Sequence, residues 1–261
     1  MTSRAETSHP KGTVSPADIA AAAKVIQPRL RRTPILTDDG IKYKLEMLQH
    51  SGTFKARGAT HALLRAHSDG LLSDGGVVAA SGGNHGAAVA WAARELGVSA
   101  NIFVPTISAE AKVNRLRSYG AIVHQVGAVY AEAQAASEDF LRSNGGFSIH
   151  PYEAEHVLMG AGTCAMEMEE DGGPLDLVFI SCGGGGLAAG SAAWFDGRTE
   201  IVLCETETTN AFAAAQAAGA PVDVKVAGVA ADASTRIRYL DSDADMAGAV
   251  LGSFGGRKPA I

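Results

Sequence analysis

The chain is poor in cysteine, in surplus positive charge and in long apolar runs. Its three cysteines, Cys164, Cys182 and Cys204, are odd in number and far apart. That pattern argues against a disulfide framework and against a zinc-binding set, and a reducing cytoplasm is the expected setting. Lys and Arg number 22 against 28 Asp and Glu, a formal net charge of −6. Nothing in that balance marks a nucleic-acid or anionic-membrane partner, so any bound phosphate must be held by local groups. No apolar run is long enough to cross a bilayer. The opening MTSRAETSHPKGTVS lacks the apolar stretch of a secretory signal, and its first dozen or so residues are expected to be disordered. There is no internal repeat and no low-complexity linker. With 261 residues, 46% hydrophobic and 19% charged, the composition is that of a globular protein with one large domain or two modest ones.

Glycine, by contrast, is plentiful at 31 residues, and it clusters. Between the clusters, helix and strand signals alternate. Ser15 and Pro16 open a helix to about Gln27. A strand at 41–46 precedes a helix from Thr53 to Ala66, and a strand at 76–80 precedes an Ala-rich helix ending at Gly97. A strand at 100–105, a helix from Ser108 to Gly120, a strand at 121–126 and a helix from Tyr130 to Arg142 follow. Then come a helix from Gly162 to Glu170, a buried-type strand at 175–181, a Gly-rich turn into another helix, and a strand at 200–205. Short apolar strands regularly separated by helices predict β-α units and a mostly parallel sheet. Past 228–234 the pattern weakens, with one helix expected around Ala244 to Val250.

Three stretches could carry chemistry. CGGGGL, Cys182 to Leu187, lies between an apolar strand and a helix. Its glycines let backbone N–H groups approach a ligand, and the helix N-terminus behind them suits a phosphate. No Lys-Ser/Thr pair follows, so it is not a Walker loop, and it lacks the context of a dinucleotide fingerprint. A tight turn without a ligand is the plainer alternative. SGGNHG, Ser81 to Gly86, sits at a similar junction and could nest a carboxylate. Asn84 there offers donor and acceptor, and His85 an acid or base, although helix capping and simple packing explain His85 equally well. In SGTFKARGA, Lys55 would become a nucleophile or base if desolvated; taken alone it reads as a solvated surface charge.

Together and in this order, SGTFKARGA, SGGNHG and CGGGGL resemble the fold type II pyridoxal-phosphate enzymes, and within them the serine/threonine dehydratases. The resemblance runs from RRTPIL (31–36) through KLEMLQHSG and HPYEAEHVLMGAGT (150–163) to GVAADAS. It implies an α/β fold of two parallel-sheet domains, like the tryptophan synthase β chain, with residues 1–75 and 150–261 forming a large cofactor-binding domain and 76–149 a small one. Lys55 matches the lysine that condenses with pyridoxal 5'-phosphate and then serves as the Cα base. Phe54 matches the residue packed on the cofactor ring, and Asn84 the asparagine bonded to its 3′ oxygen. Ser81, Gly82, Gly83, Asn84 and His85 match the substrate-carboxylate loop; Gly183, Gly184, Gly185, Gly186 and Leu187 match the phosphate cradle. The implied reaction is β-elimination of a small hydroxy amino acid such as L-serine or L-threonine to a 2-oxo acid and ammonia, in a cytoplasmic homodimer.

Departures from the pattern are equally specific. Racemases of the family carry a serine as second base where this chain has Gly82, so little racemisation is expected. Glu205 matches a cation ligand of some members, with Thr209 and Ala211 at the neighbouring ligand positions. Ala211 has no side-chain oxygen, which leaves that set incomplete. Family members run longer and end near a hydroxyl or thiol that meets the pyridine nitrogen; here Ser253 is the nearest match, and the chain looks shortened after Asp232. Another lyase or racemase acting on hydroxyaspartate or D-serine, and a cofactor-binding regulatory or scaffold protein, are the competing expectations.

Overall fold

The computed structural model describes residues 14–151, 154–207 and 210–219, and the backbone of 237–239, 242–246 and 251–254. The disordered start expected for the chain, Thr209, Asp232 and the stretch 228–234 lie outside the described residues.

Helix α1 (Pro16–Ile26) starts where its sequence says it should: Ser15 and Asp18 form a reciprocal capping box. Strands β1 (Ile35–Asp38) and β2 (Ile41–Lys44) form an antiparallel hairpin. Its turn residues, Asp39 at φ 45° and Gly40 at φ 77°, are both left-handed, as a two-residue turn compatible with strand twist requires. Two short 3₁₀ turns, Glu46–Leu48 and His50–Gly52, lead into α2 (Lys55–Ser68). Next come β3 (Val77–Ala80), α3 (Asn84–Glu95), β4 (Ala100–Val104), α4 (Glu110–Ser118), β5 (Ile122–Gln125), α5 (Tyr130–Asn144) and β6 (Phe147–Ser148). The remainder is α6 (Glu155–Gly172), β7 (Leu177–Ser181), α7 (Gly186–Phe195), β8 (Glu200–Cys204), α8 (Ala211–Ala218), β9 (Ile237–Tyr239), β10 (Ser242–Met246) and β11 (Leu251–Phe254).

The fold is α/β with two main sheets. Strands β5-β4-β3-β6 form a wholly parallel sheet. The second sheet, β1-β2-β11-β7-β8, is mixed: only β7 and β8 are parallel. Apolar strands flanked by helices predict the parallel part; the antiparallel hairpin is marked only by its Asp39-Gly40 turn, and the return of β11 between β2 and β7 leaves no comparable mark in the sequence. Helix α6 begins at Glu155, seven residues before its expected start at Gly162. The helix expected at Ala244 to Val250 is corrected: Ala244 to Met246 belong to strand β10, paired antiparallel with β9. Ser-Asp-Ala-Asp is a weak helix former, and pairing with a neighbouring strand overrides the local preference.

Each main sheet has its own core. One joins Ala56, Ala59 and Leu63 of α2 to β3, α3 and β4. The other joins Phe54 to α6, β7 and α7. Phe54 and Ala56 thus point into different cores, and Lys55 stands on the seam between them. The helices at this seam approach through glycine. A methyl group on Gly160 of α6 would lie 2.6 Å from the Arg57 carbonyl oxygen, and one on Gly58 of α2 would lie 2.8 Å from that of Val157. A side chain at either place would force the helices apart.

Candidate active site

Both glycine-bearing loops lie at the carboxyl ends of strands, Ser81 just after β3 and Gly183 just after β7. Lys55 opens α2 beside them; its N–H donates to Thr53 Oγ1 at 3.0 Å. A small cleft is lined by Phe54, Lys55, His85, Pro151 and Gly186, together with Gly58, Ala59, Val157 and Ala161. The structure therefore brings residues of all three suspected stretches to a single cavity.

Lys55 is half-buried. Its Nζ donates to the Pro151 carbonyl at 3.4 Å and lies 5.0 Å from the centre of the Phe54 ring. His85 is buried, and its Nε2 is 2.8 Å from the Ile149 carbonyl oxygen. A carbonyl only accepts, so Nε2 carries the proton. Burial, followed by the nearby Lys55 charge, lowers the His85 pKa to about 3, and the ring is neutral at ordinary pH. It can hydrogen-bond in the cleft but brings no positive charge. Asn84 is the first residue of α3, and its Oδ1 accepts from Arg115 Nη1 at 3.3 Å. The Ser81 hydroxyl accepts from the Gly83 N–H at 3.3 Å, folding the loop back on itself.

The other glycine loop turns through Gly185, in the left-handed region at φ 81°, and delivers Gly186 as the first residue of α7. The first-turn N–H groups of a helix have no partner within it and carry the positive end of its dipole. Leu187 is buried in the β7–α7 core rather than on the cleft wall. Cys182 opens the loop; burial first, and the Glu205 charge next, push its thiol up to about 11, which makes it a packing residue rather than a nucleophile. Glu205 does not face the cleft lining. Its two carboxylate oxygens accept from the Phe212 and Ala213 N–H groups at 2.8 Å each, capping α8. Ala211 opens that helix. Among the described residues no group of three His, Cys, Asp or Glu side chains gathers to hold a metal. The backbone of Ser253 lies in β11 opposite Lys42 and Val178.

Two features of the site carry no local sequence signal. Arg115, on α4, donates through Nη2 to the Ser51 carbonyl at 2.5 Å besides reaching Asn84. Behind Lys55 lies a fully buried ion cluster. Arg57 donates to Glu46 at 2.7 and 2.8 Å and to both Glu167 oxygens at 2.8 Å, and Lys44 Nζ donates to Glu167 at 2.8 Å. Burial pushes the Glu167 carboxyl up, but Arg57 and Lys44 together bring it below its ordinary range. The cluster ties α2, α6, β2 and the 3₁₀ turn before the lysine to one point.

The family described as pyridoxal-phosphate dependent enzyme matches residues 26–256. A catabolic L-threonine dehydratase of Staphylococcus aureus (strain USA300) is 33% identical over 225 residues, covering 82% of this chain and 64% of the relative. A serine racemase of Schizosaccharomyces pombe is 35% identical over 204 residues, covering 74% and 62%. The chain thus spans less than two thirds of these curated relatives. Among solved structures, maize serine racemase superposes with a TM-score of 0.76 at 29% identity, covering 81% of this chain and 67% of that one. The processed form of threonine deaminase isoform 2 from Solanum lycopersicum gives 0.71 at 29% identity, covering 79% and 59%.

Proposed function

The chain belongs to the pyridoxal-phosphate dependent enzyme family, and from that premise we propose that it eliminates the β-hydroxyl of a small hydroxy amino acid, L-threonine or L-serine, giving a 2-oxo acid and ammonia. The observation that carries the proposal is the convergence of Lys55, Phe54, His85 and Gly186 on one cleft. The cleft fits the cofactor with a primary amine for its aldehyde, an aromatic wall for its ring and a helix N-terminus for its phosphate; Asn84, next to His85 but outside the cleft lining, would supply a carboxamide for its phenolic oxygen. Lys55, Phe54, Asn84 and the Gly183–Gly186 loop would hold it, with Leu187 fixing the loop from the core side.

When bound, pyridoxal phosphate supplies an electron sink for charge developing at the substrate Cα. The remaining work falls to the chain. Lys55 Nζ, half-buried at the cleft, would be the group that takes the Cα proton. The loop Ser81–His85 binds the substrate carboxylate. Because His85 is held neutral, that binding rests on backbone N–H groups at the start of α3 and not on an imidazolium. Ser253 remains our candidate partner for the ring nitrogen. We propose that residues 1–75 with 150–261 form a large cofactor-binding unit and residues 76–149 a small one. Among the described residues no helix is long and apolar enough to cross a membrane. We place the enzyme in the cytoplasm as a homodimer, which sedimentation of the purified chain tests.

A racemase reading draws on the names of the relatives, but Gly82 offers no acid or base where a second proton carrier is needed. The test begins with colour. Pyridoxal phosphate added to the purified chain should give an absorption band at the visible edge that Lys55→Ala abolishes. Release of 2-oxo acid is then followed with L-serine, L-threonine and the D-isomers. No band refutes the proposal; a band without turnover of any of the four favours a regulatory or scaffold role.

A further inference from the structure

The turn that delivers Lys55 is strained. Ser51 is buried and sits in the left-handed region at φ 58°, ψ 8°, and Gly52 follows at φ 71°. A serine holds that conformation only where its surroundings impose it. Gln49 supplies part of the restraint, since its Oε1 accepts from the His50 N–H at 3.0 Å and its carbonyl from the Gly52 N–H at 2.9 Å. The rest comes from a different layer of the protein. Arg115 of α4 reaches over from the parallel-sheet side and donates to the Ser51 carbonyl with one nitrogen and to Asn84 Oδ1 with the other.

That second bond decides which way the carboxamide faces. A guanidinium only donates, so the oxygen of Asn84 must turn toward Arg115 and the NH₂ away from it. Flipping the amide would set donor against donor. We propose that Arg115 is a positioning residue of the cleft: it orients the Asn84 NH₂ for donation to the bound cofactor, and it pins the Ser51–Gly52 turn from which Lys55 projects. This rests on the cofactor reading given above. Arg115 touches neither cofactor nor substrate. It acts through Asn84, thirty-one positions away, and through the Ser51 carbonyl.

The test uses the full chain with pyridoxal phosphate and reads the cofactor's dissociation constant and the pH midpoint of its Lys55-bound absorption band. Losing a charged donor from two acceptors should weaken cofactor binding about tenfold in Arg115→Ala and move the midpoint. Asn84→Ala should move the midpoint the same way, and adding Arg115→Ala to it should move the midpoint further by less than Arg115→Ala does alone, the remainder being what Arg115 exerts through the Ser51 carbonyl. Arg115→Lys, whose single ammonium cannot match the two-pronged geometry, should fall between wild type and Arg115→Ala; it decides the matter if Arg115→Ala does not melt cooperatively. A wild-type band with unchanged affinity and midpoint in the Arg115 variants overturns the positioning role. A full Arg115→Ala midpoint shift persisting in the Asn84→Ala background overturns the route through Asn84. A wild-type chain with no band overturns the cofactor reading, and the clamp falls with it.

Discussion

Glu167→Gln tests how the ground beneath Lys55 is held. The substitution keeps size and shape and removes one charge. In the native cluster Lys44 and Arg57 face Glu46 and Glu167, so the buried formal charge is balanced. After substitution two cations share one buried carboxylate, and among the described residues Lys44, itself 0% exposed, keeps only the partly exposed Asp171 at 3.8 Å as an acidic partner. Breaking a buried ion pair on one side costs about 3–5 kcal/mol, because the stranded charge keeps its desolvation penalty. For a chain of this size that corresponds to a fall in melting temperature of roughly 10 °C. Thermal and urea unfolding of wild type and variant measure it. A second variant sharpens the logic: Lys44→Met combined with Glu167→Met removes one charge of each sign and leaves Arg57 with Glu46. It should unfold at a higher temperature than Glu167→Gln despite carrying more changes. If Glu167→Gln melts within about 2 °C of wild type, or if the double variant is the less stable, the cluster does not hold the α2–α6 seam in the way its geometry indicates.

Two further tests follow from the same seam. The folded chain keeps His85 neutral down to about pH 3, whereas the unfolded chain protonates it near 6.5. Below 6.5 the unfolded state therefore binds the extra proton, so His85 makes the protein lose stability as pH falls, by about 2 kcal/mol between pH 6.5 and about pH 5, levelling near pH 3. His85→Gln should remove that part of the slope in urea unfolding measured across the window; parallel stability curves for the two proteins would refute it. Gly160→Ala places a methyl group 2.6 Å from the Arg57 carbonyl oxygen. The helices must separate, at a cost of about 1–3 kcal/mol, and cofactor binding should weaken together with the melting temperature. A variant as stable as wild type would show that the crossing has slack.

The sequence by itself determined much of this protein, because much of it is written in short-range terms. Apolar runs such as LVFIS mark buried strands, and Ser15 with Asp18 marks a helix start, since capping is decided within one turn. The α/β class and three of the stretches at the cleft are legible in the same way: glycine-rich junctions between strand and helix leave a local trace. Lys55 alone is not legible. Nothing within its own nine residues separates a solvated amine from a half-buried one, and only the other two stretches raise it above a surface charge.

What the tertiary structure decided are the relations between distant residues. Arg57 meets Glu167 across 110 positions, and Arg115 meets Asn84 across 31. Neither pair has a period or a motif, because an ion pair or an amide contact requires only that two backbones arrive at the right separation. The Glu205 carboxylate accepts from two N–H groups in the first turn of α8, a contact fixed by where that helix begins. Strand β11 returns between β2 and β7, which no local pattern requires. Local chemistry chose the elements. The packing of α2 against both cores put Lys55 on the seam between them, within reach of groups from two sheets, and that proximity makes the cleft.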